Sequence, residues 1–178
     1  MFEKIIILFK QWLTFLGTGN KKTAIKGGDE SALNQPNQAA YLYSAELISQ
    51  LKDEHKQLIA IYVGIQDFFE HQKYQQVVEQ LLHFKEEFSL HLMQENVKFY
   101  AYLESHLNQE SAEFQTIKTY RKDMNQIAHV VVKFLKKWTS QTSLNQVTAD
   151  EFFQEYKGIG AALVQRITDE EQYLYTLY

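Results

Sequence analysis

Cysteine is absent from all 178 residues. That excludes disulfides, thiolate metal sites and a cysteine nucleophile. Proline occurs once, at Pro36, and beyond it the only glycines are Gly64, Gly158 and Gly160. The long C-terminal stretch is therefore almost free of helix breakers, and its Glu, Gln, Lys, Leu and Ala favour helix. A basic excess is also missing. The net charge is −4 with both signs interspersed, which argues against a general nucleic-acid binder. There is no Gly-rich phosphate loop, Walker pattern or elbow serine, so a turnover enzyme is not expected. No apolar run is long enough to span a bilayer. The best candidate, residues 1–16, is short and carries Lys10. Glu3 in the n-region, with no small-residue cleavage site after the run, reads against a secretory signal. A cytoplasmic location is expected.

What the chain does have is apolar residues, 45% of the total, enough for a packed core in one domain with a short appendage. Residues 1–16 (MFEKIIILFKQWLTFL) place Phe2, Ile5, Phe9, Trp12 and Leu16 on one face of an amphipathic helix that Gly17 stops. Residues 17–40 concentrate glycine, the proline and polar side chains and read as a flexible linker. Four helical patterns follow over residues 41–178, from about Tyr41 to Glu70, Tyr74 to Leu107, Ser111 to Thr139, and Thr148 onward. A Thr148-Ala-Asp-Glu151 capping box marks the start of the last. Short connections make successive helices antiparallel neighbours. Each carries one apolar stripe, and the stripes close most simply in an all-α, up-down-up-down four-helix bundle.

Polar residues interrupt those stripes. The first steps through Ile48, Leu51, His55, Leu58 and Tyr62, so His55 points inward. The second steps through Leu81, Phe84, Phe88, His91, Glu95 and Phe99, which places an imidazole and a carboxylate one turn apart in the core. A buried carboxylate is costly unless it is paired or metal-bound. Two imidazoles and a carboxylate on facing helices suit a metal site in a helical bundle. His129, with Asn125, Lys122, Lys133 and Lys136 around it, falls on a solvated face. His71, His83 and His106 fall near helix ends or off the stripes.

Residues 41–178 resemble the hemerythrin/HHE cation-binding family. The likeness rests on Glu54-His55 in the first helix and on His91-Leu-Met-Gln-Glu95 with Val97, Phe99 and Tyr100 in the second. It continues in a weaker repeat of both. Asp123-Met124 echoes Glu54-His55, and Arg166-Ile-Thr-Asp-Glu170 with Leu174-Tyr175 echoes the second segment. The resemblance implies a bridged pair of irons that binds oxygen or senses redox state or gases. Here His55, His91, Glu95 and Glu170 remain as ligands, while Met124 and Arg166 stand at the two substituted histidine positions.

Two readings follow. In one, a single non-heme iron stays on His55, His91, Glu95 and Glu170. In the other there is no metal, and Arg166 pairs both Glu95 and Glu170 as a fixed cation. The expected function is a bacterial-type sensor or regulatory module with a reduced iron site or an arginine-substituted remnant of one. The alternative is a metal-free helical interaction protein recruited to a membrane surface or protein partner by residues 1–16. That first helix fits the inner membrane face, a partner or a homodimer interface about equally. The lysines at 118, 122, 133, 136 and 137 read as a solvated face. Gly158 and Gly160 read as close-packing positions.

Overall fold

A computed structural model describes residues 42–140 and 144–178. The expected amphipathic helix at 1–16, with Phe2, Ile5, Phe9, Trp12 and Leu16, and the expected linker at 17–40 lie outside the described residues. Residues 43–178 form one compact unit. All regular structure among the described residues is helical: α1 (Leu47–Glu70), α2 (Tyr74–Gln94), a π turn (Glu95–Tyr100), α3 (Ala101–His106), α4 (Ala112–Trp138), α5 (Ala149–Gln172) and a 3₁₀ turn (Leu174–Leu177). The backbone stays right-handed helical from Gln94 through Ala101. Thus α2, the π turn and α3 form one rod. Four rods result, each packed on the next, with α5 returning to α1. No described helix is long and apolar enough to cross a membrane.

Local chemistry sets the ends. The Ser111 side chain accepts the Phe114 backbone N–H and starts α4. The α1–α2 turn is tight because Gln72 takes a positive φ of 55°. Two expected boundaries differ. The first helix begins at Leu47, not near Tyr41. The expected capping box at Thr148 does not form: Thr148 makes no side-chain cap bond to α5, and its hydroxyl instead accepts the Asn145 N–H within the preceding turn. The fourth helix also stops at Gln172, where a 3₁₀ turn takes over.

Aromatic packing fills one half of the core. Tyr62 and Tyr156 stack with centroids 4.4 Å apart, and each hydroxyl donates to the other's backbone carbonyl. Phe84, Phe134, Trp138 and Phe152 are buried around them. At the other end Leu47, Leu51, Phe99, Tyr100, Leu103, Ile117, Leu174 and Tyr175 form a second cluster. His55, between Leu51 and Leu58 on α1, places the polar centre between the two.

The expectation for the glycines holds at one of them. A Cβ on Gly160 would lie 2.9 Å from Tyr62 Cε1, while one on Gly158 would meet nothing within 4 Å. The stacked, doubly hydrogen-bonded Tyr62 ring has little freedom to retreat. Gly160→Ala should therefore cost about 1–3 kcal/mol. Gly158→Ala should gain roughly 0.5–1 kcal/mol from helix propensity. Urea midpoints read the difference, and equal midpoints would show that the Tyr62 ring gives way.

Candidate metal centre

All five inward polar residues expected from the stripes are buried: His55, His91, Glu95, Arg166 and Glu170 are each 5% exposed or less. Among the described residues, one ligand atom each from His55, His91, Glu95 and Glu170 lie within 4.8 Å of one another. His55 comes from α1, His91 from α2, Glu95 from the start of the π turn and Glu170 from α5. α4 contributes Met124, buried at its expected position. His71, His83, His106 and His129 are exposed, and the lysine face of α4 is solvated.

The imidazoles are held in a particular way. His55 Nδ1 lies 2.9 Å from Glu171 Oε1, and His91 Nδ1 lies 2.9 Å from Glu54 Oε2. Each carboxylate thus accepts the proton on Nδ1 and turns Nε2 inward, the arrangement that orients metal-bound histidines. The two Nε2 atoms are 3.2 Å apart. His55 Nε2 also lies 3.3 Å from Glu170 Oε2, and His91 Nε2 lies 3.8 Å from Glu95 Oε2. Glu54 is itself held by the side-chain amides of Gln94 and Gln50.

Arg166 differs from the expectation. Its Nε donates to Glu170 Oε1 at 2.5 Å, its Nη1 to the Tyr120 carbonyl at 3.0 Å, and its Nη2 to the Tyr100 hydroxyl at 2.5 Å. It makes no ion pair with Glu95. Three of its five N–H groups are directed to Glu170, Tyr120 and Tyr100, and none is directed to the second carboxylate. Glu95 Oε1 accepts the Tyr175 hydroxyl at 2.9 Å instead. Glu95 Oε2 is the one buried side-chain oxygen or nitrogen without a partner among the described residues.

The electrostatics follow from that geometry. Glu54, Glu95, Glu170 and Glu171 face one guanidinium, so the pocket is short of positive charge. Burial disfavours a charged His55. The hydrogen bonds to Glu170 and Glu171, with the charges of Glu170 and Glu95, outweigh it and raise the His55 pKa to about 9. Burial and the charge of Glu170 push Glu95 up to about 7, despite both histidines. Burial also opposes ionisation of Glu170, but the His55 hydrogen bond and the Arg166 charge hold it below the usual range. One carboxylate is thus fixed as an anion and the other sits near neutrality.

Four residues of this centre had no assigned role in the sequence reading: Glu54, Glu171, Tyr100 and Tyr175. Glu54 and Glu171 adjoin His55 and Glu170 and sit at the edges of their stripes. The signal was there, because a core imidazole needs a partner for its second nitrogen. Tyr100 is turned inward by the π turn. A turn that bonds i to i+5 puts residues five apart on one face, so Glu95 and Tyr100 are both buried beside Phe99.

The donor set fits one divalent cation. Two imidazole Nε2 atoms and an unpartnered carboxylate oxygen already face one another, and imidazoles that give up their protons, with carboxylates, are the ligands such ions take. A second ion does not fit, because Met124 and Arg166 offer a thioether and a fixed positive charge. No curated protein and no solved structure matches the chain. A family model described as the hemerythrin HHE cation binding domain matches residues 46–178. With most of its length covered by that match, the chain belongs to the hemerythrin HHE cation-binding family.

Proposed function

We propose that this protein is a single-cation member of its family, acting as a sensor or regulatory module with one non-heme iron. The observation that carries the reading is the pair of inward Nε2 atoms, each locked by a carboxylate at Nδ1, beside the unpartnered Glu95 Oε2. His55, His91, Glu95 and Glu170 would hold the ion. Two histidines with carboxylates form a ligand set for ferrous iron, which supplies reversible one-electron chemistry and affinity for small diatomic ligands. Arg166 takes over the charge of the lost second metal by fixing Glu170.

Metal analysis tests this directly. Protein purified without a metal-affinity tag and loaded anaerobically with ferrous iron should carry about one ion per chain. His91→Ala should lose it. Glu54→Gln and Glu171→Gln should weaken it by about 10–100-fold, because they only orient the ligands. A wild type that takes up no ion would support the metal-free alternative, in which Arg166 is the fixed cation of the site.

We further propose that residues 1–16, expected from their apolar spacing to form an amphipathic helix, recruit the bundle to a membrane surface. Deleting residues 1–30 should abolish co-sedimentation with anionic vesicles and leave the helical circular dichroism unchanged. An insoluble truncation would instead make the first helix part of the core.

A further inference from the structure

The 3₁₀ turn at Leu174–Leu177 touches both the cation cluster and the place where the chain enters the bundle. Tyr175, buried in the core, donates to Glu95 Oε1 at 2.9 Å and stacks on the His55 ring with centroids 5.8 Å apart. Three residues on, the Tyr178 hydroxyl accepts the Ser44 backbone N–H at 2.8 Å. The Tyr178 ring stacks on Tyr43 at 5.2 Å and packs on Tyr102 and Phe99. Tyr178 directly follows the turn, so both rings ride on one short piece of backbone. Leu174, fully buried, anchors that backbone between them.

From this we propose that Tyr175 is a positioning residue for Glu95, and that the Tyr175–Tyr178 turn couples cation binding to order at Tyr43 and Ser44, where the segment of residues 1–42 joins the bundle. The proposal rests on the single-cation reading above. Its logic lies in the two oxygens of Glu95. Oε1 is committed to Tyr175, which leaves Oε2 free and aimed at the histidines. Whatever fixes Oε2 also fixes Oε1, the Tyr175 hydroxyl on it and the turn behind that ring. The Ser44 N–H then loses freedom to part from Tyr178. Coupling of this kind is reciprocal: pulling on the segment before Tyr43 should loosen the hold of Glu95 on a cation.

Cobalt(II) is the probe, because its visible bands report both occupancy and coordination. The full-length chain is titrated with Co²⁺, and amide exchange at Ser44 is followed with and without the ion. Wild-type protein should show the bands, and Ser44 exchange should slow by about fivefold or more, the low end of ordinary coupling between sites. Tyr175→Phe should still bind Co²⁺, about tenfold more weakly, with a changed band shape because Glu95 is no longer held by one oxygen. Its Ser44 exchange should not respond to the ion. Tyr178→Phe should keep the wild-type band shape and bind Co²⁺ about fivefold more weakly, as reciprocal coupling requires, while Ser44 exchanges fast in both states. Normal bands with an unresponsive Ser44 in the wild type would overturn the coupling alone. So would a wild-type response retained in Tyr175→Phe. Absence of Co²⁺ bands in the wild type would overturn the cation reading and the coupling with it.

Discussion

Replacing Arg166 by alanine should destabilise the bundle by about 3–5 kcal/mol, the usual cost of removing one partner from a buried ion pair. The guanidinium is 5% exposed and donates to Glu170, Tyr100 and the Tyr120 carbonyl. Its loss removes the ion-pair partner of Glu170, and the Tyr100 hydroxyl loses its N–H donor in a buried site. One of the charges that keep Glu170 ionised disappears as well, and the histidines alone then offset the repulsion between Glu170 and Glu95. Both carboxylates should titrate higher in the folded variant than in the unfolded chain. The folded state then binds more protons, and stability rises as pH falls. Urea unfolding at pH 5 and pH 7.5 should therefore show a smaller deficit at pH 5. A deficit independent of pH would mean that Arg166 acts through packing alone. Arg166→His carries the complementary expectation: an imidazole one turn before Glu170 restores a ligand type, and the iron content should rise above that of the wild type.

Cation binding should raise the melting temperature by something of the order of 10 °C at an ion concentration about 100-fold above Kd, and more at alkaline than at acid pH. The sign comes from two raised pKa values. Glu95 goes from 4.5 in the unfolded chain to about 7, and His55 from 6.5 to about 9. Each folded group binds its proton more tightly than its unfolded counterpart. The His55 contribution is fully present below pH 6.5 and is lost as pH rises through about 9. The Glu95 contribution is fully present below pH 4.5 and is lost through about 7. Metal-free protein should thus weaken steadily from about pH 5 to pH 9. Glu170, held low, works the other way and limits stability only on the acid side. A cation must displace those same protons from Nε2 and Oε2, so its affinity climbs across the interval in which the metal-free protein weakens. Thermal scans at pH 6 and pH 8.5, with and without Mn²⁺ or Fe²⁺, measure this. An equal or larger gain at pH 6 would mean that the ion does not bind on His55 and Glu95.

Both expectations have the same origin. The pocket holds more carboxylate than it has positive charge, and protons or a cation compete for the difference. Arg166 resolves one part of it by fixing Glu170. Because the arginine does not extend to Glu95, the second carboxylate is left available. That division leaves His55, His91 and Glu95 as a donor set suited to one ion.

The amino-acid sequence by itself determined the class of fold and the inward face of each helix. Near absence of glycine and proline after Pro36 made long helices the low-energy local choice, and the apolar period fixed which side faces the core. His55, His91 and Glu95 were legible for the same reason, since each sits at a stripe position where an apolar residue belongs, while Arg166 and Glu170 were legible through the family resemblance; all five are buried. Periodicity speaks only of a helix and its own face. It does not say which side chain on a neighbouring rod completes a hydrogen bond. The tertiary structure decided that Glu171 holds His55, that Glu54 holds His91, and that Arg166 spends its donors on Tyr100 and Tyr120 rather than on Glu95. It also decided the π turn at Glu95–Tyr100 and the 3₁₀ turn at Leu174–Leu177. Both are small departures from the α-helix that no local propensity demands. They are stabilised by what they bury, Tyr100 on Arg166 and Tyr175 on Glu95, and those contacts exist only once the four rods have come together.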